Sequence, residues 1–498
     1  MSAARAISMP GGTHFDLIIQ NVRIVRPGLP AVEQGDIGIA GEKIAAVGTG
    51  VSAPTAGRVI DGKGLLAFPG LVDAHMHTGI YAPLADDAWS ESRAAAQGGV
   101  TTSLNYIRSG QYYLNKGGPY AELFPEILGL SDGRFHVDYG YHLAPMDRRQ
   151  IAEIPMLIGR HGVTSFKIFM FYGGYGLHGA SGNQHDFLMI DPDERYDIAH
   201  FEFVMRGVKD AMQQYPAVRD SISLSLHCET AEIMTAYTKL VQEAGTLEGL
   251  RAYSAARPPH PEGLAICIAS YLAHETECVN INLLHLSSRK AVEAALTMAE
   301  AFPTIDFRRE VTIGHLVLDY DTPAAAEAKV NPPIRSREDV EYLWDALLAG
   351  KIDWVVSDHA CCRHELKVNT SRPDDIFLAK SGFGGTEYLL SAMLTEGGKR
   401  GLPLHRIAEL TSSHPARRFG LAGKGDIAVG YDADIVLVDP EHSFTVKAAE
   451  SESKQGYTPF EGLQLRGKVR STYLRGQLIY HDDKIIGEPR GRYLKRPC

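Results

Sequence analysis

The chain has 498 residues, with 50 Lys+Arg against 60 Asp+Glu for a formal charge of −10, and 44% of its residues are hydrophobic. That length calls for several domains, or for one large barrel with an accessory domain, and the composition excludes a disordered chain. The acidic balance sets aside nucleic-acid binding as the main activity. The longest apolar stretches, such as Leu264–Ala273, are too short to cross a bilayer, and the first residues lack the apolar run of an export signal. Six cysteines without repeated spacing do not make a disulfide framework, so the chain reads as a reduced, cytoplasmic protein.

In chain order, the first elements read as β. Phe15–Val25 and Gly35–Gly48 are rich in β-branched residues between glycine-marked turns, and Arg58–Leu66 adds a short run. The same texture returns only at Gly425–Asp439 and Lys468–Tyr480. Because chain ends tend to lie close together, residues 1–65 and 424–485 are expected to form one small β-sandwich. Residues 486–498, with Arg490, Arg492, Lys495 and Arg496, are expected to be a solvated tail or a subunit contact.

Between them, eight apolar runs end in polar or titratable residues: Leu66–His77, Val100–Ile107, Phe135–Pro145, Thr164–Met170, Ser223–Glu229, Val279–Ser287, Phe307–Asp319 and Lys351–Asp358. Helical stretches such as Ala231–Glu243 and Arg289–Ala301 separate them. This alternation over residues 66–423 predicts an α/β protein built on a (β/α)8 TIM barrel, whose chemistry sits at the carboxyl ends of the strands. Those ends carry His75, His77, Lys167, His227, His285 and Asp358.

His75 and His77 are two apart in a strand, so both imidazoles face the same way. His227 and His285 close the fifth and sixth runs, and Asp358 closes the eighth, where a general base would be useful. Lys167 is the odd member, since an ammonium at the end of an apolar strand is costly to bury. Either a neighbouring acid pairs with it, or CO2 has converted it to an anionic carbamate that can bridge two cations.

Here the pattern resembles a known family. Phe68-Pro-Gly-Leu-Val-Asp-Ala-His-Met-His, Gly98-Gly-Val-Thr-Thr, Ser165-Phe-Lys-Ile-Phe-Met, Ala256-Arg-Pro-Pro, Asn331-Pro-Pro-Ile-Arg, Ser357-Asp-His and Gly430-Tyr-Asp-Ala-Asp-Ile-Val are similar to the dihydropyrimidinase/hydantoinase family of the amidohydrolase superfamily. The resemblance implies a binuclear hydrolase that opens the ring C–N bond of a cyclic amide, imide or ureide with a metal-bridging hydroxide. It implies that His75, His77 and Asp358 bind one divalent ion, that His227 and His285 bind the other, and that N6-carboxylated Lys167 bridges them. Zn2+ suits such N/O ligands, with Mn2+ or Co2+ as alternatives. Asp358 would shuttle the proton, Tyr172 would donate to the developing oxyanion, and Asn331, Ser381 and Gly382 would hold the substrate's amide edge. A homotetramer or dimer is implied as well.

Three departures qualify the likeness. Thr78-Gly79 stands where dihydroorotases place an arginine two residues after the second histidine, which disfavours dihydroorotate as the substrate. Asn331 occupies a position where many hydantoinases have serine. The stretch between Lys167 and His227 is long, and its glycine-rich part beginning at Gly173 is expected to cover the active-site mouth up to about Asp197. An allantoinase-like or otherwise specialised ring hydrolase is the second reading. A catalytically silent scaffold protein is the third, and the complete ligand set argues against it. Cys361 and Cys362 read as packing residues rather than extra ligands.

Overall fold

The computed structural model describes residues 14–52, 56–173 and 183–498. Both chain ends contribute to one nine-stranded sheet. From the amino-terminal part come β1 (Leu17–Arg26), β2 (Leu29–Ala40), β3 (Lys43–Gly48), β4 (Arg58–Asp61) and β5 (Leu66–Pro69). Within the barrel follow β6 (Leu71–His77), β7 (Val100–Arg108), β8 (Asp138–Ala144), β9 (Ser165–Phe169), β10 (Ser223–His227), β11 (Asn280–Leu283), β12 (Asp306–Thr312), β13 (Trp354–Val356) and β14 (His359–Ala360). The carboxy-terminal part returns β15 (Ile435–Thr445), β16 (Gln464–Leu474), β17 (Gln477–His481) and β18 (Lys484–Ile485) to the first sheet, in the order β18-β17-β16-β15-β5-β1-β2-β3 with β4 beside β1. The join between the two chain ends is β5 against β15, antiparallel, with Phe68 opposite Val436.

The two-residue period of these strands sorts their side chains between two cores. Ile19, Ile37, Ile39, Ala67, Ile435 and Leu437 form an apolar cluster on one face. Leu66, Phe68, Val436 and Val438 point the other way and join the large core shared with the barrel. Leu66–His77 therefore is not one strand, as its composition suggests, but two. The chain leaves the sheet at Pro69 and enters the barrel at Leu71, so the boundary expected after residue 65 falls at Gly70. A Cβ on Gly70 would lie 2.1 Å from Thr101 Oγ1, which is why no side chain fits at the crossing.

The barrel strands pair in parallel in the order β13-β12-β11-β10-β9-β8-β7-β6-β14. Strands β13 and β14 are two halves of one eighth strand, so the pairing of His359 with Met76 closes the ring. The break between the halves is Asp358, in the left-handed region at φ 54°. Asp73 ties this seam: its buried carboxylate accepts from Ser357 N (3.1 Å), from Ser357 Oγ and from Thr386 Oγ1 (2.8 Å). Helices alternate with the strands, among them Ile198–Gln214 capped by Asp197 and Arg289–Ala301 capped by Ser288.

The tail meets the solvated expectation only in part. Arg490, Arg492 and Lys495 are exposed, but its backbone is not free, because it lies along β8 and the loop before β9. Leu494 N donates to Tyr139 O (2.8 Å) and Arg496 N to Gly162 O (2.9 Å). Arg496 is buried and donates to Ser165 Oγ at 2.8 Å. Carbonyl acceptors at the barrel's amino-terminal end explain why Arg496 and the segment's backbone pack there.

Candidate active site

Parallel strand order brings the six titratable strand-end residues to one mouth. On β6, alternation turns His75 and His77 inward, 5.2 Å apart between ring centroids. Both present Nε2 to the same carboxylate oxygen, Asp358 Oδ1, at 3.2 and 3.3 Å. Asp358 reaches them because of its left-handed backbone, a conformation that costs a non-glycine residue about 1 kcal/mol or more and marks functional positions. His285, two residues beyond β11, is also left-handed at φ 36°. Its ring packs 4.3 Å from His227 and 5.4 Å from His75. Lys167 on β9 is buried beneath them, with Nζ 3.2 Å from His75 Nε2.

Electrostatically this is a site of suppressed cations. Burial pushes the imidazoles of His75, His77 and His285 down, and that of His227 to about 4, so all four are neutral at pH 7. Burial likewise lowers the Lys167 ammonium to about 7, against attraction from Asp358 and Glu310. Although desolvation opposes it, Asp358 is held well below the usual carboxylate range by His75 and His77. It is an ionised acceptor at neutral pH.

Sequence reasoning missed two acids that aim these rings. Glu310 on β12 accepts from His75 Nδ1 (2.7 Å), from Trp354 Nε1 (2.9 Å) and from the His285 backbone N–H (3.2 Å), which leaves His75 Nε2 facing the site. Glu229 accepts from His227 Nε2 at 2.8 Å and from Arg257 Nη1 at 3.1 Å, leaving His227 Nδ1 as the free nitrogen. A carboxylate on the far nitrogen fixes the tautomer and orientation of a ligating histidine. The only signal was a glutamate two residues after His227 and another within an apolar strand.

The residues fit a pair of divalent cations. Donor atoms of His75, His285 and Asp358 lie within 4.8 Å of one another. His285 Nδ1 is buried without a hydrogen-bond partner among the described residues. The donor set is nitrogen and oxygen, with Cys361 and Cys362 buried outside it as free thiols.

Above the cluster lies a cleft lined by Tyr81, Arg108, Tyr113, Phe171, Tyr172, Asn331, Ser381 and Gly382 besides His77, Lys167, His227, His285 and Asp358. Tyr172 follows β9 and is buried, with its ring stacked on Phe169 at 4.7 Å. Asn331 Oδ1 accepts from Tyr253 OH at 2.5 Å. The Ser381 carbonyl accepts from Tyr81 OH (2.7 Å), while Gly382 N is committed to Lys329 O (2.9 Å). Of the expected mouth-covering segment, residues 174–182, His178 among them, lie outside the described residues. Its remainder folds as the short helix Gln184–Leu188, which places Phe187 in the cleft wall. His185 turns from the site to Glu194 O at 3.0 Å.

Residues 259–479 match the amidohydrolase family model. The chain is 34% identical to an allantoinase of Rubrobacter xylanophilus, covering 97% of this chain and 98% of that protein. It is 31% identical to a D-hydantoinase of Ralstonia pickettii, covering 97% and 99%. The crystal structure of dihydropyrimidinase from Brevibacillus agri superposes with a TM-score of 0.82 at 27% identity over 96% of this chain and 98% of that one. The family generally binds a binuclear metal centre, and its cyclic-amide hydrolases share this barrel and sheet. Similarity over nearly the whole chain means that it belongs to the amidohydrolase family, alongside hydrolases acting on the carbon–nitrogen bonds of cyclic amides.

Proposed function

We propose that this chain opens the ring C–N bond of a cyclic ureide or imide of the hydantoin, dihydropyrimidine or allantoin type. The observation that carries the reading is the convergence of four neutral imidazoles, Lys167 and one ionised aspartate beneath a cleft walled by Tyr172. His75, His77 and Asp358 would hold one divalent ion and His227 and His285 the other, with Lys167 as the bridge after carboxylation by CO2. When bound, such ions, Zn2+ or alternatively Mn2+ or Co2+, polarise a carbonyl and make water acidic enough to lose a proton near neutral pH. Burial lowers the Lys167 ammonium to about 7, which favours the neutral amine, the form that adds to CO2.

The chain's own residues then divide the work. Asp358, ionised, takes a proton at its carboxylate and returns it to the departing ring nitrogen. The Tyr172 hydroxyl donates to the oxygen that gains charge, and Asn331, Ser381 and Gly382 bracket the amide edge. Glu310 and Glu229 keep the two histidine rings aimed. An allantoinase-type substrate has its own support, since several relatives at 30–34% identity are allantoinases. The substrate is a small molecule. Family likeness also supports a homotetramer or dimer working in the cytoplasm; among the described residues no helix is long and apolar enough to cross a membrane.

The test is a substrate panel on metal-replete protein: hydantoin, 5-substituted hydantoins, dihydrouracil, allantoin and simple cyclic imides. Ring opening of at least one, lost on chelation and restored by Zn2+, is expected. Failure to open any of them rejects the reading.

A further inference from the structure

The cleft contains one charge that the ring-opening chemistry leaves unused. Arg108 ends β7 and is buried. Its Nε donates to Tyr172 OH at 3.2 Å and its Nη1 to Ser109 O at 2.8 Å. The guanidinium carbon lies 4.6 Å from the Phe187 ring centroid, 4.9 Å from that of Tyr172 and 5.5 Å from that of Tyr113. Three aromatic faces box it, and it lines the same cleft as Lys167, His285 and Asn331.

No carboxylate lies within 4.0 Å of Arg108 among the described residues, and segment 174–182 contains no Asp or Glu to supply one. The other two buried arginines at this end of the barrel are treated differently. Arg257 meets Glu229 at 3.1 Å and Arg335 meets Glu262 at 3.6 Å. Asp358, committed to His75 and His77, is the only acid lining the cleft among the described residues. A desolvated guanidinium is costly without a counter-ion, and aromatic faces return only part of that cost. Its planar fork matches a carboxylate.

We propose that Arg108 is a specificity-determining residue that selects rings carrying a carboxylate substituent. This rests on the cyclic-amide reading and narrows it. The arginine that would serve dihydroorotate after His77 is missing, but Arg108 reaches the cleft from a different strand, on the Tyr172 side. An anion there would complete the shell of Arg108 while the ring lies against the cluster.

The test compares hydantoin-5-acetate with its neutral isostere hydantoin-5-acetamide, each as both enantiomers, on Zn2+-loaded full-length protein. Wild type is expected to prefer the acetate by about 10–100-fold in kcat/KM, the worth of a hydrogen bond to a charged group. Arg108→Gln should bring the ratio to near one, and Arg108→Lys should keep part of it. Because Arg108 also bonds Tyr172, either variant can slow both substrates, and the ratio cancels that shared loss. A wild-type ratio near one, or a ratio unchanged in Arg108→Gln, overturns the assignment. If Arg108→Gln does not fold, the wild-type ratio and Arg108→Lys decide. If neither ring is opened, the functional reading has failed separately. Calorimetric titration of the same pair then decides Arg108: tighter acetate binding that either variant weakens supports it, and equal or absent binding overturns it.

Discussion

Two buried lysines show what separates a structural charge from a reactive one. Lys424, where the barrel meets the terminal sheet, holds Asp138 at 2.6 Å, Asp434 at 2.8 Å and Asp432 at 3.0 Å, and these acids raise its pKa despite desolvation. Lys167, at the opposite end, has no carboxylate within 4.0 Å among the described residues and rests on the rings of Tyr106 (4.0 Å) and Phe169 (4.3 Å). Burial drives it down to about 7. Burial alone is therefore not a sign of function. Lys329 and Lys367 are also buried without a carboxylate within 4.0 Å among the described residues, but their amines donate to backbone carbonyls. A buried amine denied both kinds of partner is the sign, because that amine is free to react.

The contrast is broken most directly at Lys167. Lys167→Ala is expected to lose most bound metal, counted by elemental analysis, together with ring-opening activity. Short carboxylic acids should restore part of both, whereas Lys167→Arg should not respond, since its guanidinium keeps the charge and fills the space. A crystal structure with two bound cations and an unmodified Lys167 would end the bridging role. Next in size, Lys424→Met leaves three acids facing one another and should lower unfolding free energy by about 3–5 kcal/mol in denaturant titrations. Metal content per folded molecule should stay the same, and loss of metal there would erase the distinction between the two ends.

Tyr172→Phe should lower kcat by about 10²–10³-fold, the usual effect of removing one oxyanion donor, with metal content and melting temperature nearly unchanged. The smallest effect concerns His315, whose ring burial lowers to about 4 while Thr312 and the Pro332 carbonyl hold it. Its folded pKa lies below the unfolded 6.5, so the unfolded chain takes the proton first and wild-type stability drains as pH falls through that interval. Between pH 7 and 5 the loss is about 2 kcal/mol. His315→Gln removes this titration, so its stability deficit against wild type should shrink by that amount. A deficit independent of pH would show that burial does not govern this ring.

The barrel and the residues that converge at its mouth were legible because parallel strands covered on both faces leave unbroken apolar runs, and the residues ending those runs stand out. Ser223–Glu229 thus anticipated β10 and its His227. What stayed hidden was set by contacts distant in sequence. Glu310 looks like any acid in a strand until His75 and Trp354, remote in the chain, arrive beside it. Arg108 gave no signal either, since its isolation from acids is a property of the whole cleft. The split at Gly70 depends on the proximity of Thr101 and Asp434, and the course of the tail on carbonyls of β8.

The join of β5 to β15 also has a consequence in time. Phe68 leaves the ribosome long before its partner Val436. At about 5–20 residues per second, the wait is on the order of 20–70 s. Throughout it, β5 presents an unpaired apolar edge of the kind that recruits foreign strands. The half-made sheet would be sheltered by a holding chaperone or by early collapse of the barrel, and slowing translation between the two strands should raise the insoluble fraction before it affects the activity of the molecules that finish.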